Sequence, residues 1–148
     1  MTYQELRDIY IKYIEVPCME KTANAVDIAL DLGLTVKNSM GFKQDFPDKN
    51  SLQNNNAIYA LYKGEFIIYY DEKSAYKNFA IAHEIAHHLL RHTADGVDQH
   101  HDANILAAII VTTNKKQEME SAITLSEKYK IPYIVAREYY AELKSIVM

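Results

Sequence analysis

His83 and His87 stand four residues apart, with Glu84 beside the first, in the run His83-Glu84-Ile85-Ala86-His87. On an α-helix, residues i and i+4 lie one turn apart on the same side, so both imidazoles can reach a single ion. Glu84 lies one position round. It reaches a water at that ion rather than the ion itself, which is where zinc-dependent peptide hydrolysis needs its general base. All six histidines of the chain fall within residues 83–101. Histidine is the commonest metal ligand and the usual proton carrier near neutral pH, so the clustering marks where the chemistry sits. Projected at about 100° per residue, the two histidines lie at the edge of an apolar face formed by Ala82, Ala86, Leu89 and Leu90. Glu84, His88, Arg91 and His92 fall on the polar side. That border between core and solvent is where a catalytic cleft forms. The competing reading, a plain core helix with hydrogen-bonded histidines, leaves the cluster unexplained. His88 and His92 form a second i, i+4 pair on the polar face with no acid between them, and read as solvent-facing or supporting residues.

Catalytic zinc takes three protein ligands and keeps a fourth position for water. The candidates for the third are His100, His101 and Asp102. Asp102 projects into the middle of a stripe formed by Ile105, Leu106, Ile109 and Ile110. A carboxylate unpaired there would be very costly, and a metal ion compensates it. Asp102 is therefore the expected third ligand, with His101 next and His100 last. An ion pair with Arg91 or a lysine, or a helix-capping role, is the alternative for Asp102.

These residues need elements to hold them. A helix is predicted over roughly 75–92, carrying the motif, and another over about 97–112. Before them, Ile58-Tyr59-Ala60-Leu61-Tyr62 and Phe66-Ile67-Ile68-Tyr69-Tyr70 read as a β-hairpin turning at Lys63-Gly64-Glu65. Thr2 to Ile14 has helical spacing of Leu6, Ile9, Tyr10 and Tyr13. A second helix is expected over about 21–32, with Gly33 as its C-terminal cap. Residues 36–56 read as irregular. Helices over 115–129 and 132–146 complete the chain, with Pro132 in the first turn of the last. No repeat or linker divides the sequence, so one domain over 1–148 with a C-terminal helical pair at about 115–147 is expected.

Composition agrees with an ordinary folded domain. The chain has 148 residues, 49% hydrophobic and 24% charged, which is neither a disordered nor a membrane balance. Its net charge of −4 argues against coating nucleic acid, which needs a basic face. Cys18 is the single cysteine, so no intramolecular disulfide forms. The start lacks a basic segment followed by an apolar run, and no stretch is long enough to span a bilayer. A cytoplasmic location without membrane contact is expected. The mixed charges of the C-terminal pair favour packing or partner docking over DNA reading.

The segment Phe79-Ala80-Ile81-Ala82-His83-Glu84-Ile85-Ala86-His87-His88-Leu89-Leu90, followed by Asp102-Ala103-Asn104-Ile105-Leu106-Ala107-Ala108, resembles the ImmA/IrrE metallopeptidase family. Its members read F-x-x-A-H-E-x-G-H-x-L and then E-A-N/D-x-F-A. The resemblance covers about 57–111. It implies an α+β, zincin-like and mostly helical fold, with a small twisted antiparallel sheet packed against helices. It implies Zn2+ held by His83, His87 and Asp102, with Glu84 as catalytic base. It also implies a protein substrate, a DNA-binding repressor of a phage or mobile element. Asp102 stands where the family has Glu, Ala86 where it has Gly, and the family's Leu-Leu-x-Pro ending is missing at Ile110-Val111-Thr112. A non-catalytic zinc-binding protein of the same fold, acting on a repressor or antitoxin, is the alternative. The toxin half of a two-gene pair is a third.

Overall fold

The computed structural model describes residues 1–17, 23–49, 52, 55–91, 97–114 and 121–147. In chain order the elements are α1 (Tyr3–Tyr10), a π-helical turn (Ile11–Glu15), α2 (Ala25–Asp31), β1 (Thr35–Asn38), α3 (Ser39–Asp45), β2 (Ala57–Tyr62), β3 (Glu65–Tyr70), α4 (Lys77–Leu90), α5 (Val97–Val111), α6 (Ala122–Tyr129) and α7 (Tyr133–Val147). The architecture is α+β and mostly helical.

The sheet is mixed rather than antiparallel. Its order is β1-β3-β2, with β2 antiparallel and β1 parallel to the central β3. The hairpin turns on Lys63 and Gly64, at φ 51 and 79. A two-residue turn of this hand needs positive φ at both positions, and the glycine meets that at no steric cost. Glu65, expected in the turn, instead opens β3 opposite Tyr62. The segment 36–56, expected to be irregular, contributes most of β1 and all of α3. Asn38 caps α3 by accepting from the Gly41 N–H. Gly33 ends α2 at φ 78, as its expected capping role requires.

Side chains of a strand alternate between faces. On β3, Ile68 enters the main core, whereas Ile67 and Tyr69 join Phe42 and Leu52 on the other face. On β2 the same alternation turns Tyr59 towards the helices and Ile58, Ala60 and Tyr62 away from them. Beneath the far face, the Tyr69 hydroxyl donates to Asp45 at 2.6 Å, and Lys37 pairs with the same carboxylate at 2.7 Å.

The main core is one cluster of buried side chains running from Leu6 to Leu143. Its centre is α5, in which Ala103 and every residue from Ile105 to Val111 are almost inaccessible. A helix that is apolar all round has to be enclosed. Here α1, α4 and α7 pack around it. The expected C-terminal pair is present in part: α6 starts after Ser121, whose side chain accepts from the Thr124 N–H, and residues 115–120 lie outside the described residues. The inner face of α7 is committed to the core through Val135, Ala136, Tyr139 and Leu143. Among the described residues, no helix is long and apolar enough to cross a membrane.

Candidate metal centre

Helix α4 supplies the motif. Asn78 in its first turn accepts from the Ala25 N–H at 2.8 Å and donates to the Ala23 carbonyl at 2.7 Å, tying α4 to the start of α2. The helix stops at Leu90, and Arg91 caps it in the left-handed conformation. The histidines sit at the border that the projection places them on: Ala82, Ile85 and Ala86 are fully buried, while His83, Glu84 and His87 are half-buried.

Three imidazoles converge. The Nε2 atoms of His83 and His87 are 3.0 Å apart. One ligand nitrogen each from His83, His87 and His100 can be chosen so that all lie within 4.8 Å of one another. The His100 ring stacks on His83 with centroids 5.8 Å apart and stands edge-on to His87 at 5.5 Å. Two nitrogens on one tetrahedral zinc stand roughly 3.3 Å apart, given Zn–N bonds of about 2.0–2.1 Å. The donor set therefore fits a borderline-soft divalent ion such as zinc with small side-chain adjustments.

The structure does not bring Asp102 into this group. Its carboxylate lies 3.2 and 3.4 Å from the Met1 ammonium. The buried carboxylate thus has a cationic partner, as burial demands, in the Met1 ammonium. His101 is also engaged elsewhere, 2.9 Å from Glu138 and 3.8 Å from Glu142 on α7. Successive helical residues point about 100° apart. His100, His101 and Asp102 therefore address three different neighbours, and the one facing α4 is His100, placed last in the sequence reading. The apolar stripe misled because α5 is buried on every side from Ile105 to Val111, so depth of burial does not tell which side faces α4. A usable signal was present: His100 and Asn104 are polar residues one turn apart on a mostly apolar helix, and both line the same cleft. His92 of the second histidine pair lies outside the described residues.

That cleft measures about 570 Å³. One wall carries His83, Glu84 and His87 of α4, and another carries His100 and Asn104 of α5. The start of α7 adds Pro132 and Val135, and residues 55–59 close the side along β2. β2 is an edge strand, since β3 occupies one side and no other strand pairs with it among the described residues. β3 is central, with β1 on one side and β2 on the other.

Tyr59 of β2 faces this cleft. Its hydroxyl is 2.8 Å from His88 Nδ1. Burial, and then the negative charge of Glu84, raise the tyrosine above its ordinary pKa, so it is a phenol rather than a phenolate. Burial, and then the nearby Arg91 cation, lower His88, so the ring is held neutral. Compared with known proteins, the chain matches no family model, no curated protein and no solved structure.

Proposed function

We propose that the chain is a zinc-dependent endopeptidase of the ImmA/IrrE type, with a zincin-like core, acting on a specific regulatory protein such as a DNA-binding repressor of a phage or mobile element. The observation that carries the reading is the convergence of His83, His87 and His100 beside Glu84 in a cleft bordered by an edge strand. Among the described residues three donors converge, and three protein donors with a free coordination position suit a catalytic site rather than a structural one, where four are usual. The third donor differs from the carboxylate that the sequence resemblance implies, but an all-histidine set also serves catalytic zinc.

Bound zinc supplies Lewis acidity to this cleft and makes water a nucleophile near neutral pH. The chain's own groups do the rest. Glu84 accepts a proton from the attacking water as its oxygen bonds to the peptide carbonyl carbon. It passes that proton to the departing amide nitrogen as the C–N bond breaks, leaving a carboxylic acid and an amine, which at neutral pH become carboxylate and ammonium. β2 has no second strand partner among the described residues, and an extended peptide pairing there would be recognised as a polypeptide rather than a small molecule.

Glu84→Gln tests the reading. It keeps the side chain's shape and removes the base. Expected is zinc content equal to the wild type by elemental analysis, unchanged circular dichroism, and loss of cleavage of the neighbouring gene's product, tested as the candidate repressor. Cleavage by the Gln variant at the wild-type rate sinks the mechanism. A wild type that binds the repressor without cutting it points to the non-catalytic reading.

A further inference from the structure

Peptide attack turns a planar carbonyl oxygen into an oxyanion, and a hydrolase of this kind gains most from a fixed donor aimed at that charge. The hairpin region offers five tyrosines, and the fold separates them. Tyr69 is fully buried on the opposite face of the sheet and donates to Asp45. Tyr62 packs edge-on against Phe46 on that same face. Tyr70, the last residue of β3, packs against the main core. Tyr76 lies at the start of α4 and is exposed. Tyr59 lines the cleft with His83, Glu84 and His87.

Two contacts fix its ring. Phe66 stacks on it with centroids 4.8 Å apart and planes 5° from parallel. His88, the residue after a motif histidine, meets its hydroxyl at 2.8 Å. Both supports lie on regular elements, β3 and α4, so the hydroxyl is held before any substrate arrives. With the proton on His88 Nδ1, the imidazole donates to the phenol oxygen, and the phenol proton is left to donate to a group bound in the cleft that Tyr59 lines.

We infer that the Tyr59 hydroxyl is the hydrogen-bond donor to the tetrahedral oxyanion, and that His88 is the positioning residue that orients it. The inference rests on the hydrolase reading above.

The test uses zinc-loaded full chain and an N-phosphoryl dipeptide amide, whose tetrahedral phosphoryl oxygens mimic the oxyanion, with binding read by calorimetry. Azide, which needs no such donor, is the control ligand. Tyr59→Phe should retain one equivalent of zinc, bind azide within about twofold of wild type, and bind the phosphoryl probe about 10- to 100-fold more weakly. His88→Gln should weaken the probe about 3- to 10-fold. The double variant should be no weaker than Tyr59→Phe alone, because His88 acts through Tyr59. A loss under twofold in zinc-loaded Tyr59→Phe overturns the assignment of Tyr59. Additive losses in the double variant overturn the role of His88. A wild type that takes up no zinc overturns the hydrolase reading, and the inference with it.

Discussion

Replacing His100 with alanine removes one of the three converging imidazoles at a position where the side chain is exposed. Surface substitutions of this kind leave folding stability within about 0.5 kcal/mol. The loss should therefore appear in metal affinity alone. Four-ligand zinc sites bind with roughly 10–16 kcal/mol, or about 3 kcal/mol per donor, which corresponds to a zinc dissociation constant raised about 100-fold. The matched control is Asp102→Asn, which removes the 3.2 Å pairing with the Met1 ammonium and keeps the side-chain volume. It should cost about 1 kcal/mol of stability, given the partial exposure of the ammonium, and shift zinc affinity less than about threefold. Competition against a chromophoric chelator reads the affinity, and urea unfolding of the zinc-free proteins reads stability. If Asp102→Asn weakens zinc as much as His100→Ala, or if His100→Ala leaves it unchanged, the three-histidine centre is refuted.

Leu106, fully buried at the middle of α5, should cost about 3 kcal/mol when truncated to alanine; a shift in urea unfolding below about 1 kcal/mol would show that α5 is not the central helix. Asp45 is held below the ordinary carboxylate range, first by its hydrogen bond from Lys37 and then by that from Tyr69. Its folded pKa lies below its unfolded one, so its contribution is present above about pH 4 and lost as pH falls through the lowered value. The urea midpoints of wild type and Asp45→Asn should therefore differ at pH 7 and converge in acid, and a gap constant from pH 7 to pH 2 contradicts this. Tyr139, fully buried and 3.0 Å from Thr112 Oγ1, should cost about 1 kcal/mol as Tyr139→Phe, measured by thermal unfolding; no change would mean that the hydroxyl pair adds nothing.

The motif helix was legible because its signal is local: His83 and His87 share a face by periodicity, and the alanines and isoleucine around them define the buried side without knowledge of any neighbour. The hairpin was legible for the same reason, through two β-rich runs joined at Lys63-Gly64. β1 was not. Thr35-Val36-Lys37-Asn38 is four residues long, and its partner in β3 begins at Ile67, so nothing near it in sequence announces a strand. α3 starts with Ser39-Met40-Gly41 and has one buried residue, Phe42, too few for helical periodicity to register. The third imidazole was obscured by the packing around α5. Direction on an enclosed helix is set by which neighbours pack where, and a one-position error rotates a ligand by about 100°. Asp102 showed the limit of burial as evidence, since a buried carboxylate demands a cation but does not say which.

The edge position of β2 has a consequence for the molecule's behaviour in concentrated solution. Backbone hydrogen-bonding groups at a strand edge do not distinguish a substrate segment from the same strand of another copy. Leu61 and Phe66 are both exposed near the hairpin tip, so two copies meeting edge to edge would also cover apolar surface. Such pairing would set the second copy against residues 57–59 of the cleft wall, so access to the cleft would fall as the protein's concentration rises.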